Sequence, residues 1–233
     1  YGVFDEKRVF AAGPMPGPLN VRGVRIGVPV CEDIWTQDVT ECLSETGAEI
    51  LAVPNGSPFE AGKEDLRLQL AAARVTETGL PLIYLNQLGG QDELVFDGAS
   101  FVLNADNSVA LAMPPWREDV AVSDWTRDEA GKWTCAPGER VGEESRESAT
   151  YHAMMLGLRD YVNKNRFKGV VLGLSGGIDS ALSAAVAVDA LGAERVRCVM
   201  LPSRYTSKDS LDDADECARR AQAQHGPGAV GSP

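Results

Sequence analysis

The chain has 233 residues, enough for one large or two modest domains, each with a core of its own. Hydrophobic residues make up 44% and charged residues 24%, the proportions of an ordinary globular protein. A formal charge of -12 and a pI near 4.6 argue against a nucleic-acid or anionic-membrane surface and favour small ligands as partners. No apolar run approaches the roughly 18 to 20 residues that cross a bilayer, and Tyr1 to Arg8 has no signal-peptide core, so the expected location is cytoplasmic. The five cysteines, Cys31, Cys42, Cys135, Cys198 and Cys217, are scattered with no C-x-x-C pair, which suggests neither a disulfide framework nor a zinc site. A first residue other than methionine marks the chain as an expected fragment.

In chain order, a Gly/Pro-rich loop at Gly13 to Gly17 precedes an expected buried strand, Val24 to Val30, with Pro29 at its end because proline cannot donate to a ladder. Asp38 to Thr46 has a helical pattern with Val39, Cys42 and Leu43 on one face and Gly47 as a stop. Ile50 to Val53 reads as a second buried strand, closed by Pro54-Asn55-Gly56-Ser57-Pro58-Phe59. Lys63 to Thr78 is a second amphipathic helix and Leu82 to Asn86 the next strand, an alternation that places chemistry at strand ends. Val95 to Leu103 and Val109 to Met113 flank a turn at Asn104 to Ser108, and Val120 to Ser123 adds a short strand. Residues 1–126 are thus expected to form one mixed α/β domain. From Arg127 to Ser148 charge, glycine and proline dominate, so the interdomain connector is expected there and a second domain from 149 onward.

That second part opens with a helix over Thr150 to Asn165, followed by an apolar run, Gly169 to Leu174, a helix over Ala181 to Leu191, and a strand, Val196 to Leu201: the βαβ start of a parallel sheet. Lys208 to Ala223 looks helical. Gln224 to Pro233 has neither an apolar period nor strand propensity, so the domain is expected to be cut off there with a disordered tail.

Between the first strand and helix of this part lies Gly173-Leu174-Ser175-Gly176-Gly177-Ile178-Asp179-Ser180. Glycines let backbone N–H groups at a strand-to-helix turn close around an oxyanion with no Cβ in the way. No Gly-Lys-Ser/Thr ends the octet and the Gly-x-Gly-x-x-Gly spacing is missing, so it is neither a Walker loop nor a dinucleotide fingerprint. Ser175 and Ser180 supply hydroxyls. Asp179 would repel a phosphate unless a divalent cation lay between them, which implies ATP with Mg²⁺ and makes Asp179 the candidate metal ligand. A bare Ser-Gly-Gly is also a common turn. The octet resembles the S-G-G-x-D-S loop of the ATP pyrophosphatase (PP-loop) superfamily, whose members activate a carboxylate or carbonyl as an adenylate.

Cys31 directly follows the first expected strand, where a thiol can project from a sheet end into a pocket, although a single cysteine is more often a small buried hydrophobe. Val30-Cys31-Glu32-Asp33-Ile34-Trp35 resembles the nucleophile segment of the nitrilase (carbon-nitrogen hydrolase) superfamily, and Pro54 to Phe59 resembles the substrate loop that follows it. The resemblance implies that the Cys31 thiolate attacks an amide carbonyl to give a thioester, that the Glu32 backbone N–H donates to the oxyanion, and that Tyr1, Ser57 and Lys63 hold a glutamine substrate. The same residues also have bland readings, as a terminal aromatic, a turn serine and a solvated helix lysine. The glutamate base and lysine of that superfamily are expected upstream of Tyr1.

The two halves together resemble the glutamine-dependent NAD⁺ synthetase family, as do the phrases Tyr1 to Arg8, Arg67-Leu68-Gln69-Leu70, Phe96-Asp97-Gly98, Gly157-Leu158-Arg159-Asp160-Tyr161 and Pro202-Ser203-Arg204-Tyr205. The fold this implies is the C-terminal part of a nitrilase-type α-β-β-α sandwich followed by the first βαβ portion of a Rossmann-like PP-loop domain. The implied partners are L-glutamine and deamido-NAD⁺, with ATP and Mg²⁺, in full-length members that assemble as homo-oligomers; the fragment alone is expected to be inactive. Two other readings stay open on the residues: a stand-alone nitrilase-like amidase with a vestigial nucleotide-binding segment, and a truncated product without activity.

Overall fold

The computed structural model describes residues 8–61, 63–142, 144–221 and 223–227. The first elements are β1 (Leu19–Val21), β2 (Val24–Gly27), a 3₁₀ turn (Cys31–Ile34), α1 (Asp38–Glu45), β3 (Ile50–Asn55), α2 (Lys63–Thr78) and β4 (Leu82–Asn86). A ribbon of β5 (Leu88–Gln91) and β6 (Leu94–Asp97) follows, then β7 (Phe101–Leu103), β8 (Val109–Ala112), β9 (Trp125–Arg127) and β10 (Trp133–Cys135). The last are α3 (Arg146–Lys164), β11 (Val170–Gly173), α4 (Ile178–Leu191), β12 (Val196–Met200), α5 (Lys208–Arg220) and β13 (Gln224–Pro227).

The chain divides into two compact units. The first contains the described residues of Tyr1–Ser57, Gly62–Gln87 and Gly98–Gly142. Its six-stranded sheet has the order β1-β2-β3-β4-β7-β8. β2, β3 and β4 run parallel, with Ile26 opposite Ile50 and Leu51 opposite Leu82, while the flanking strands are antiparallel. Parallel neighbours need a crossover, which α1 and α2 supply, and strands covered on both faces carry the continuous apolar run seen at Ile50 to Val53. One face packs Leu51, Val53, Leu82, Tyr84 and Leu103 against Ile34, Leu43, Ala71 and Val75. The opposite face is a smaller cluster of Val102, Ala110, Leu111 and Cys135, with Ile83 and Trp125 against it. Gly27 permits this closeness, since a Cβ there would lie 3.0 Å from Leu51 Cδ2.

The second unit contains the described residues of Pro58–Ala61, Leu88–Asp97 and Glu143–Pro233. Its sheet, β11-β12-β13, is parallel throughout. β11 alternates, with Val170 and Leu172 turned to a core of Val162, Leu174, Ala184, Ala187, Leu191, Val196, Cys198, Ala214 and Ala218, while Val171 is exposed. Serines start two of its helices: Ser145 Oγ accepts from Ser148 N–H at 3.2 Å before α3, and Ser207 Oγ from Ser210 N–H at 3.1 Å before α5. The ribbon β5–β6 packs along α3.

Several expectations need correction. Val95 to Leu103 is two strands in different sheets, because the chain turns at Gly98 and Ala99, both with positive φ. Val120 to Ser123 forms no strand; the hairpin β9–β10 lies just beyond it, with Trp133 opposite Arg127, and its second strand falls inside the stretch expected to be a connector. Strands of three residues show no period, and a turn that closes with Gly131 N–H donating to Asp128 O at 3.0 Å has the composition of a linker. Strand β2 ends at Gly27, so Cys31 does not follow it directly but opens the 3₁₀ turn. Gln224–Pro227 pairs with β12, Cys198 opposite His225, so the sheet has a third strand where a disordered tail was expected; the remainder of that tail lies outside the described residues. A polar strand at a sheet edge needs neighbours more than propensity.

Among the described residues no helix is long and apolar enough to cross a membrane. Truncation of the buried Leu51 to alanine is expected to cost about 2–5 kcal/mol, against roughly 0.5 kcal/mol or less for Val171→Ala on the exposed side of β11. Urea unfolding followed by circular dichroism checks the contrast, and equal losses would contradict the placement of the core.

Candidate functional site

The first site is built at the carboxyl edge of the parallel strands β2, β3 and β4. Because the three run the same way, the segments leaving them emerge on one side: the Cys31 turn after β2, Ser57 after β3, and Asn86 as the last residue of β4. Cys31 has φ +51. Arg22, Asp92 and Asn107 share a positive φ in hairpin turns, and Arg166 just past α3. Cys31 instead adopts it at the head of a helical turn, a left-handed conformation that costs a non-glycine residue about 1–3 kcal/mol.

Both ends of that turn are fixed. Val30 N–H donates to Asp33 Oδ2 at 2.8 Å, the side-chain half of a capping box, while Asp33 N–H donates back to Val30 O at 3.0 Å as the first backbone bond of the turn. At the rear Ile34 is buried, and its carbonyl accepts from Arg74 Nη1 at 3.2 Å. Cys31 itself is only partly buried, whereas Cys135 and Cys198 are buried and their thiols are pushed up in pKa, chiefly by burial.

Ser57 is buried and held on every polar atom. Its N–H donates to Asn86 Oδ1 at 3.0 Å, and its carbonyl accepts from Asn86 Nδ2 at 3.2 Å and Arg67 Nη2 at 2.7 Å. Arg67 Nε also donates to Ser57 Oγ at 3.1 Å. Asn86 in turn is held at its backbone, where its N–H donates to Ser100 Oγ at 2.9 Å. Tyr1 lies outside the described residues, and Lys63 is the first residue of α2.

Arg67, Arg74 and Asn86 were assigned no role from the sequence, yet all three are buried here. A signal existed. Positions 67, 71, 74 and 75 share one face of a helix, so two arginines interrupt the apolar stripe marked by Ala71 and Val75. Arginine in such a stripe must find acceptors, and here these include the Ser57 carbonyl and hydroxyl for Arg67 and the Ile34 carbonyl and Glu77 carboxylate for Arg74.

The second site lies in the other unit, where β11 passes through Leu174 into α4. Leu174 is buried and its N–H donates to Val199 O at 3.0 Å, which anchors the loop to the sheet. The two serines then lace the turn: Ser175 N–H donates to Ser180 Oγ at 3.2 Å, the hydroxyls lie 3.1 Å apart, Ser180 Oγ donates to Gly177 O at 3.0 Å, and Gly177 N–H donates to Ser175 Oγ at 3.3 Å. Gly176 has φ +83, and a Cβ there would lie 2.3 Å from Ser210 O, so no other residue fits without moving α5. Gly177 caps α4 with no side-chain hydrogen bond, which leaves the first-turn N–H groups open to an anion in an exposed loop.

Asp179 sits in that first turn and is exposed. Among the described residues no group of three or more His, Cys, Asp or Glu is gathered as a metal site. One carboxylate beside a phosphate cradle suits Mg²⁺, which takes one or two protein carboxylates and draws other ligands from substrate phosphates and water.

Comparison with known proteins divides the chain in a similar way. The sequence profile of the carbon-nitrogen hydrolase family matches residues 2–134, and that of NAD synthase matches residues 150–225. A glutamine-dependent NAD(+) synthetase from Rhodobacter capsulatus is 57% identical over 95% of this chain, and one from Xanthomonas campestris pv. campestris 46% identical over 94%. The chain spans about 40% of the length of these relatives. Among solved structures, a glutamine-dependent NAD+ synthetase from Acinetobacter baumannii in complex with adenosine diphosphate superposes with a TM-score of 0.90 and 42% identity, over 97% of this chain and 43% of that one. The synthetase from Cytophaga hutchinsonii, at 20% identity and a TM-score of 0.69 over 91% of this chain and 39% of that one, shares the fold.

Limited alkylation with iodoacetamide at neutral pH is expected to label Cys31 in the native chain and to spare Cys135 and Cys198 until denaturant is added. Peptide mass spectrometry reads the order, and protection of Cys31 in the folded chain would contradict its placement.

Proposed function

The chain belongs to the carbon-nitrogen hydrolase family, and from that premise we propose that it forms part of a glutamine-dependent NAD(+) synthetase, an ATP-dependent carbon-nitrogen ligase of the cytoplasm. The observation that carries this reading is the presence in one chain of a left-handed cysteine turn at a parallel-sheet edge and an uncapped serine-glycine loop ahead of a helix.

The Cys31 sulfur attacks the side-chain carboxamide carbon of glutamine, the carbonyl oxygen gathers negative charge, and the Glu32 N–H at the start of the 3₁₀ turn donates to it. That N–H is suited to the task because the first amides of a helical turn have no partner within it. Collapse expels ammonia and leaves a thioester, which water converts to glutamate and the free thiol. Ser57, with Tyr1 and Lys63, holds the glutamine; the rigid frame of Arg67 and Asn86 keeps the Ser57 backbone from shifting as substrate arrives.

At the second site the loop Gly173 to Ser180 holds the ATP phosphates, with Ser175 and Ser180 exchanging their mutual hydrogen bonds for phosphate oxygens. Asp179 is the residue that would hold a Mg²⁺ accompanying the nucleotide, and such an ion would supply positive charge against the phosphates. The carboxylate of deamido-NAD⁺ attacks the α-phosphorus, pyrophosphate leaves into the N–H cradle, and the adenylated carboxyl carbon then accepts ammonia and releases AMP. Ammonia is protonated at neutral pH and a bare carboxylate does not accept amines, so the first centre supplies the nucleophile and the second the electrophile.

In the complete polypeptide, Cys31→Ala is expected to abolish NAD⁺ formation from glutamine while leaving formation from added ammonium intact. Asp179→Asn is expected to depress both, by about 100-fold or more if the Mg²⁺ contact stabilises the transition state as preorganised charge usually does. Chromatographic assay of NAD⁺ with each nitrogen source reads the split. Loss of both activities in Cys31→Ala, or of neither in Asp179→Asn, would overturn the assignment.

A further inference from the structure

The ribbon β5–β6 belongs by sequence to the stretch matched by the hydrolase profile, yet it is packed within the second unit. Its contact with α3 is made by backbone. Gly90 N–H donates to Asp160 Oδ2 at 2.7 Å, and Gly90 O accepts from Lys164 Nζ at 2.5 Å, so both backbone polar groups of one residue are gripped by an i, i+4 pair whose charges lie 3.6 Å apart. Three glycines make the approach possible. A Cβ on Gly89, which has φ +133, would lie 3.1 Å from Asp160 Oδ2, one on Gly90 would lie 3.1 Å from Gly157 Cα, and one on Gly157 would lie 3.0 Å from Val95 Cγ2. The sequence phrase Gly157-Leu158-Arg159-Asp160-Tyr161, which plays no part in either reaction centre, thus supplies the helix surface and the anionic half of the grip.

What the ribbon holds is as specific as what holds it. Gly90 pairs across the ribbon with Val95, and Val95 O accepts from Phe59 N–H at 2.7 Å. Phe59 stands two residues along the chain from Ser57. Gly90 and Val95 thus face each other with backbone polar groups turned outward, Gly90 to Asp160 and Lys164 and Val95 to Phe59, so the two-stranded ribbon stands between the ion pair and the segment that leaves the glutamine-holding serine. Charge-assisted bonds along one edge make the ribbon stiffer than it would be on solvent, since an isolated two-stranded hairpin is marginally stable.

We propose that Asp160 and Lys164 are positioning residues for the glutamine site: by gripping the Gly90 backbone they fix the ribbon, and through Val95 the path of the chain after Ser57. This rests on the reading of Ser57 as a glutamine-binding residue. Loss of the grip loosens the loop and weakens glutamine binding, and leaves the cysteine and the phosphate loop untouched.

The test combines amide hydrogen exchange on this chain with kinetics on the complete polypeptide. In Asp160→Ala the amides of Gly90 and Phe59 are expected to exchange about tenfold faster or more, and the glutamine KM to rise severalfold, with ammonium-supported NAD⁺ formation and its kcat unchanged. Lys164→Met is expected to move the same two amides in the same direction. Faster exchange at Gly90 alone, with Phe59 and the glutamine KM as in the wild type, would overturn the proposal and leave a merely local packing contact. If Asp160→Ala unfolds α3, Asp160→Asn, which keeps the volume and one acceptor, carries the comparison at smaller amplitude. A wild-type protein that makes no NAD⁺ from either nitrogen source would refute the proposed function, and the exchange of Phe59 would then decide the ribbon's role by itself.

Discussion

Parallel strand pairing is the constraint on which the rest of this structure depends. Parallel neighbours cannot be joined by a hairpin, so each is followed by a helical crossover, and every crossover begins at the same edge of the sheet. In the first unit this puts the Cys31 turn, Ser57 and Asn86 at one edge; in the second it puts the serine-glycine loop at the end of β11. At such edges the backbone has left the ladder and not yet entered the helix, so N–H groups are free to serve a ligand. The left-handed Cys31 costs about 1–3 kcal/mol, and burial of Ile34 three residues on, at 1% exposure, contributes about 1.5–3 kcal/mol, so one neighbouring side chain suffices to hold the strained turn.

The two centres use that edge differently. At Cys31 the geometry is fixed by side chains from α2, with Arg74 on the Ile34 carbonyl and Arg67 on Ser57, so the turn is braced from below by buried cations. In the serine-glycine loop the bracing comes from backbone and hydroxyls, with Leu174 tied to Val199 and the two serines tied to each other. A braced turn suits covalent attack, where a misplacement of about 1 Å is costly. A loop closed by its own hydroxyls suits a phosphate that can replace them.

How much of this was legible in the sequence depends on whether a residue's neighbours were local. α2 and β4 were expected at the bounds they have, because sixteen residues of amphipathic period and a five-residue apolar run are strong local signals. The fold class was legible for the same reason. β13 is not, since Gln224 to Pro227 becomes a strand only through β12, and neither is β9–β10, because three-residue strands carry no period. At the sites, Cys31 and the octet Gly173 to Ser180 stood out by residue type and spacing. Arg67 and Asn86 did not: an arginine on a helix and an asparagine at a strand end are ordinary until tertiary packing sets them against the same serine.

A relay from a thiol that frees nitrogen to a loop that activates a carboxylate is the central claim, and the most direct measurement is the origin of the nitrogen. Glutamine labelled with ¹⁵N in its side-chain amide is supplied to the complete polypeptide with ATP, Mg²⁺ and deamido-NAD⁺ in the presence of unlabelled ammonium, and the carboxamide of the NAD⁺ formed is analysed by mass spectrometry. The account predicts a labelled carboxamide from the wild type and an unlabelled one from Cys31→Ala. An unlabelled carboxamide from the wild type would contradict it.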